Sequence, residues 1–273
     1  MESRLQRRVQ RYGWDLAASE YETLWQAQLR DAQQAALAAT VPASGEHVLD
    51  VACGTGLVAF AAARAIGPRG AVLGTDISGE MVAAASSRAE ALGLANVRFA
   101  RMDAEALELP DASFEVAVCA LGLMYVPSPE QALRELWRVL RPGGRLGLAV
   151  WGERARCGWS EVFPIVAAEV SSEVCPLFFR LGQADVLAQL CRDTGFRAIE
   201  ATRISTTLRY AHAEEACRAA FVGGPVALAW SRFSAEARAR VCQRYLAAIA
   251  PWRQGEGVAL PGEFVIVGAQ RPG

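Results

Sequence analysis

Val48-Leu49-Asp50-Val51-Ala52-Cys53-Gly54-Thr55-Gly56 is the stretch that decides the fold. A short apolar run with an acid at its end reads as a buried strand of a parallel sheet. The two glycines let the backbone turn tightly and approach a ligand before a helix begins near Leu57. Open α/β sheets bind ligands outside the carboxyl ends of their strands, where such a first turn sits. Gly54-Thr55-Gly56-Leu57-Val58-Ala59 fits the G-x-G-x-x-G/A pattern of dinucleotide sites, and Asp76 follows at the spacing of an acid that meets ribose hydroxyls. On these residues alone, a nicotinamide site and a ligand-free turn both satisfy the pattern.

Further motifs follow in order. Ala71-Val72-Leu73-Gly74-Thr75-Asp76-Ile77-Ser78 reads as the next strand ending in an acid, and Val97-Arg98-Phe99-Ala100-Arg101-Met102-Asp103-Ala104 as a third strand before an Asp-Ala pair. Leu109-Pro110-Asp111-Ala112-Ser113-Phe114-Glu115-Val116-Ala117-Val118 reads as a loop and fourth strand, and Leu140-Arg141-Pro142-Gly143-Gly144-Arg145-Leu146 as the turn into a fifth. Across residues 46–151 this series resembles the class I S-adenosylmethionine-dependent methyltransferases, in particular the small-molecule group similar to the ubiquinone-biosynthesis enzymes. The resemblance implies a doubly wound α/β sheet of seven strands, order 3-2-1-4-5-7-6, with the last strand antiparallel. It also implies S-adenosylmethionine as cofactor and S-adenosylhomocysteine as product. Asp50 would face the methionine part of the cofactor, Asp76 the ribose, and Asp103 and Ala104 the adenine. Ala52, Gly54, Thr55, Gly56, Ile77, Met81 and Ala120 complete the implied cofactor set. Ala52 departs from the family pattern, which commonly has glycine there.

The formal charge of the 273-residue chain is −1, so no overall basic field draws it to nucleic acid. No run reaches the roughly 18 apolar residues of a membrane span, and Arg4-Leu5-Gln6-Arg7-Arg8 is not followed by an apolar signal region. A cytoplasmic enzyme without a membrane or nucleic-acid partner is the expectation. The seven cysteines (53, 119, 157, 175, 191, 217 and 242) are odd in number and form no C-x-x-C pair, which fits reduced thiols. Cys157, Cys175 and Cys191 were they close would offer a thiol site for a metalloid, but buried structural cysteines are the expectation, and no metal site is predicted. His47 and His212 form no histidine cluster.

One domain spans 1–273: an N-terminal helical region (1–45), the cofactor core (46–151), a helical cap (152–195) and C-terminal strands and helices (196–273). A helix is expected over 14–40. Its start, Trp14-Asp15-Leu16-Ala17-Ala18-Ser19-Glu20-Tyr21, resembles the W-D-x-x-A-x-x-Y opening of many small-molecule methyltransferases, which implies that Tyr21 reaches over the cofactor carboxylate. In the cap, Trp159 to Val170 and Ala184 to Cys191 read as helices joined by Pro176-Leu177-Phe178-Phe179. A sixth strand is expected around 198–209, helices over 212–249 broken at Gly223-Gly224-Pro225, and a closing strand over Glu263 to Ala269.

An activated methyl group requires an enzyme that excludes water and holds a nucleophile in line. Tyr125, in Leu121-Gly122-Leu123-Met124-Tyr125-Val126-Pro127, is the candidate catalytic residue, as a hydrogen-bond partner for the acceptor. His212 is a second candidate. Met124, Tyr125 and Trp151 are candidate acceptor-binding residues, and the aromatic-rich cap suggests an apolar or aromatic small-molecule acceptor. A cofactor-binding protein without methyl transfer and a nicotinamide oxidoreductase are the alternatives.

Overall fold

The computed structural model describes residues 3–170 and 177–273. Five strands alternate with helices in the first part of the chain: β1 (His47–Val51), β2 (Ala71–Asp76), β3 (Val97–Arg101), β4 (Phe114–Ala120) and β5 (Leu140–Trp151). They pair in parallel, with Asp50 level with Gly74 of β2 and Val118 of β4. Val48, Leu49, Val116, Ala117 and Val118 have no exposed surface, which is why these strands read as continuous apolar runs. β6 (Arg197–Tyr210) and β8 (Gly257–Gln270) are 14-residue strands, and β8 runs antiparallel between β5 and β6. The sheet order is β3-β2-β1-β4-β5-β8-β6, with a two-residue strand β7 (Arg253–Gln254) paired to β8. Apart from that small extra strand, the order is the one the sequence predicts.

Serine side chains cap the two helices that flank the third and fourth strands. Ser78 accepts a hydrogen bond from Met81 N (3.1 Å) at the start of α3 (Gly79–Ala91). Ser128 does the same for Gln131 N (3.2 Å) ahead of Pro129 in α4 (Pro129–Val139). The first helix, α1 (Ser3–Ala38), begins eleven residues before the predicted start, and contacts both α2 (Leu57–Ile66) and α3. Its early turns, rich in Arg and Gln, lack the apolar period that marks a buried helix face, and tertiary ion pairs described below hold them.

The stretch read as a cap divides in two. Two 3₁₀ turns (Arg154–Arg156 and Gly158–Glu161) and α5 (Val162–Val170) lie at the carboxyl edge of the sheet, with Trp159 packed on Trp151 at 4.9 Å between ring centroids. By contrast α6 (Val186–Thr194) packs on α4 and β6, burying Leu187, Ala188 and Cys191, so it is a framework helix and not part of the cap. The helices α7 (Ala213–Phe221), α8 (Ala227–Arg232) and α9 (Ala235–Ile249) follow β6, with α7 and α8 against α1 and α9 against α5. A buried carboxylate ties the edge together. Glu263 of β8 meets Arg203 (2.7 Å) and Arg156 (3.2 Å), and accepts the Glu153 N–H (3.1 Å).

Candidate active site

The carboxyl ends of β1, β2, β3 and β4 converge on one cleft. After β1 the chain turns through Ala52 (φ 56°), Gly54 (φ 53°) and Gly56 (φ 87°) into α2. At Gly56 a Cβ would fall 2.7 Å from the Phe60 ring, so the left-handed backbone and the close contact both require glycine. Asp76, at the end of β2, accepts from Gly54 N (Oδ2, 2.9 Å) and Ser78 N (Oδ1, 2.9 Å), which locks its carboxylate to the turn. Ser78 Oγ donates to Asp15 of α1 (2.7 Å), tying the first helix to the same corner. Farther along the rim, Arg7 pairs with Glu105 (2.7 Å) and Asp103 (3.1 Å).

Two buried acids lie beneath the turn that follows β1. Asp50 is 1% exposed and its Oδ2 has no hydrogen-bond partner among the described residues. Burial raises its pKa to about 8, aided by the charge of Asp76 and opposed by the Ala59 N–H. Burial also raises Asp76, against the two N–H donors that favour its ionised form. Tyr21 is raised by burial and by both carboxylates. The fold therefore holds a proton on Asp50 that the unfolded chain releases near pH 4. Stability is expected to fall as pH rises from about 4 to about 8 and to level off above, and Asp50→Asn should flatten that slope. Thermal melting of both proteins across this range checks it.

The cleft runs along the carboxyl ends of β1, β2 and β4, where Val51, Asp76 and Ala120 face it. Of the residues predicted for a cofactor, Tyr21, Ala52, Gly54, Asp76, Ile77, Met81, Asp103, Ala104 and Ala120 line it. Asp50, Thr55 and Gly56 stand behind this lining, as floor and turn. Arg7, Gln10, Trp14, Met102, Leu121 and Gly122 line it too, without having been predicted. Trp14 had a signal in the W-D motif; Arg7 and Gln10 had none. Next to the cleft lies a narrow aromatic-lined chamber that shares Trp14, Tyr21, Leu121 and Tyr125 with it. Met124, Trp151, Trp25 and Trp159 belong to the chamber wall. Tyr125 stands at the junction, its ring 5.0 Å from Trp14 and 5.1 Å from Phe178. His212 does not join them: it caps α7 at the surface, 3.6 Å from Glu256, and lines neither space.

Ala52 holds a left-handed conformation that costs an alanine about 1–2 kcal/mol. Gly122 accommodates it, since a Cβ there would lie 2.2 Å from the Ala52 Cβ. We expect Gly122→Ala to destabilise the protein by about 1–3 kcal/mol, as overpacking does. Most of that cost should vanish in the Ala52→Gly background, leaving the 3.1 Å contact with Cys119 Sγ. Denaturant titration of the two single variants and the double variant measures the coupling, and additive effects would contradict the contact.

Among the described residues no cysteine lines the cleft. Cys157 and Cys191 are buried, and burial pushes both thiols up to about 12. Cys175 lies outside the described residues. Among the described residues no group of three His, Cys, Asp or Glu side chains is placed to hold a metal ion.

An open, mainly parallel sheet with one antiparallel strand between β5 and β6, and acids at the ends of β1, β2 and β3 around a single cleft, defines the class I methyltransferase architecture. Residues 48–144 match the family described as a methyltransferase domain. The demethylmenaquinone methyltransferase of Listeria welshimeri is 39% identical over 119 residues, 44% of this chain and 50% of that protein. The chain thus spans about half the length of the curated relatives it matches. Among solved structures, the YcgJ protein of Bacillus subtilis superposes with a TM-score of 0.64 at 20% identity, covering 89% of this chain and 99% of that one. The [4+2]-cyclase SpnF gives a TM-score of 0.58 at 27% identity, covering 90% of this chain and 82% of that one.

Proposed function

We propose that this chain binds S-adenosylmethionine in the cleft and directs its methyl group to a small acceptor with an apolar or aromatic body. One observation carries the reading: a carboxylate fixed by two backbone donors, Asp76, lines a cleft that adjoins an aromatic chamber, and a buried acid with an unpartnered oxygen, Asp50, stands directly behind that lining. Asp76 has lone pairs left for ribose hydroxyls after its two N–H bonds. Asp50 supplies negative charge for a cationic cofactor, and a nearby positive charge draws its pKa back down. Asp103 and Ala104 serve the adenine end, and Tyr21 with the Ala52–Gly56 turn the carboxylate end. Bound there, the cofactor supplies a methyl group already activated on a sulfonium centre.

The chamber orients and dries the acceptor. Among the described residues its lining contains no Asp, Glu, His, Lys or Arg side chain, so a nucleophile arrives in reactive form or delivers its proton through Tyr125 or water. Tyr125, at the junction, is the group placed to hydrogen-bond an acceptor, and Met124 and Trp151 are wall. A cytoplasmic location is supported by an odd cysteine count with no C-x-x-C pair, and a non-nucleic-acid acceptor by the formal charge of −1. No helix among the described residues is long and apolar enough to cross a membrane.

Mass spectrometry of ligand released from purified protein tests the cofactor: S-adenosylhomocysteine or S-adenosylmethionine supports the reading, and NAD overturns it. Formation of S-adenosylhomocysteine across quinones, phenols, amines and thiols tests the transfer and identifies the acceptor class. A second reading, cofactor binding in the service of another reaction, draws on the 27% identity to a [4+2]-cyclase over 90% of the chain. Product formed while the cofactor stays intact would favour it.

A further inference from the structure

Three of the seven exposed large apolar side chains among the described residues stand on the first turns of one helix. They are Leu5 (49% exposed), Tyr12 (45%) and Leu16 (48%) of α1. At steps of seven and four residues they share a helix face. Arg4, Arg8 and Arg11, at steps of four and three, form the adjoining stripe, with Arg4 and Arg8 exposed. Arg7, Gln10 and Trp14 form a third stripe, which lines the cleft. The order around the helix is therefore cleft wall, basic stripe, apolar stripe. The acids between Trp14 and Leu24 of the same helix are engaged elsewhere: Asp15 with Ser78, Glu20 with Arg218 and Glu22 with Arg88. Arg11 approaches Asp15 only at 4.0 Å.

We infer that this face of α1 docks on an anionic lipid bilayer. A short apolar stripe beside a row of arginines is the pattern of a helix lying in the membrane interface, with the apolar side chains among the headgroups and the guanidinium groups on lipid phosphates. The stripe is far too small to insert across a bilayer. Ion pairs of Arg7 with Asp103 and Glu105 hold the opposite side of the same turns to the cleft rim, so the docking face stays turned to solvent.

Flotation of the full-length protein with phosphatidylglycerol–phosphatidylcholine vesicles, against phosphatidylcholine alone, tests the inference without acceptor or cofactor. The bound fraction at low salt is expected to be at least about fivefold higher on the anionic vesicles and to fall in 0.5 M NaCl. Leu5→Ser/Tyr12→Ser/Leu16→Ser and, separately, Arg4→Glu/Arg8→Glu should each bring it to the phosphatidylcholine level, with circular dichroism and melting temperature showing that both variants fold. Equal binding to the two vesicle types, or undiminished binding by either folded variant, would overturn the inference. So would a dimer, seen by light scattering, that the triple serine variant converts to a monomer, since that assigns the face to a second copy of the chain. Cofactor titration in solution is separate, so failure to bind vesicles and failure of the methyltransferase reading give different results.

Discussion

Asp76→Ala is expected to weaken S-adenosylhomocysteine binding by about 1.5–3 kcal/mol, a loss of roughly 10- to 150-fold in affinity. The size follows from a hydrogen-bonding carboxylate in a site that water leaves on binding. Two effects of the substitution must be separated. Alanine strips the ribose of its acceptor, and it also releases Gly54 N and Ser78 N, which hold the first turn and the start of α3 in place. Removing a buried acid whose pKa burial has raised compensates part of the second effect, because the fold no longer desolvates that charge. The affinity loss should therefore exceed the loss of stability. Asp76→Glu tests geometry at constant charge: its extra methylene moves the carboxylate off both N–H donors and into the ribose space. Calorimetry that finds unchanged affinity in a folded alanine variant would remove Asp76 from the cofactor site.

The framework of this site is legible in the sequence because each part depends on local chemistry. A buried parallel strand needs an apolar run, and a left-handed turn needs Gly54 and Gly56. Acids at successive strand ends fall at the carboxyl edge whatever lies between them. The parts that escape notice depend on contacts between distant segments. Arg7 and Gln10 sit in a polar stretch whose helix is held by pairing with Asp103 and Glu105, almost a hundred residues away. Gly122 reads as an ordinary loop glycine until Ala52 is placed against it.

His212 and α6 show the converse. The end of a sixth strand is a reasonable place for a catalytic side chain, but β6 lies at the far edge of the sheet from β3, and the turn after it emerges at the surface beside Glu256. For α6, the apolar residues Leu187, Ala188 and Cys191 suited both a cap and a framework helix. Amphipathicity gives a buried face and not the neighbour that buries it, and here the neighbours are α4 and β6.

Trp151 brings core and chamber into competition, and magnitudes decide which dominates. Its ring is 3% exposed and lies 4.4 Å from Phe264, 4.9 Å from Trp159 and 6.2 Å from Trp25 between centroids. Trp25 is itself fastened, its indole N–H donating to Ala219 O of α7 (3.1 Å). Truncation at Trp151 thus removes the centre of an aromatic cluster that joins β5, β8, α1 and the cap. Trp151→Ala is expected to cost about 3–5 kcal/mol of stability. At about 2–4 °C per kcal/mol for a chain of this size, the melting temperature should drop by roughly 6–20 °C. An effect that large masks any change in acceptor binding, so the chamber must be tested with a milder substitution. Trp151→Phe keeps a ring against Phe264 while widening the chamber. In that variant cofactor affinity should stay within about threefold, or roughly 0.65 kcal/mol, because Trp151 does not line the cleft. The Michaelis constant for the acceptor should rise with turnover changed less. Melting, cofactor titration and steady-state kinetics on the same preparation distinguish the outcomes. A fall in melting temperature with unaltered kinetics would make Trp151 core alone, and a cofactor affinity shifted well beyond threefold would mean that the chamber and the cleft are one site.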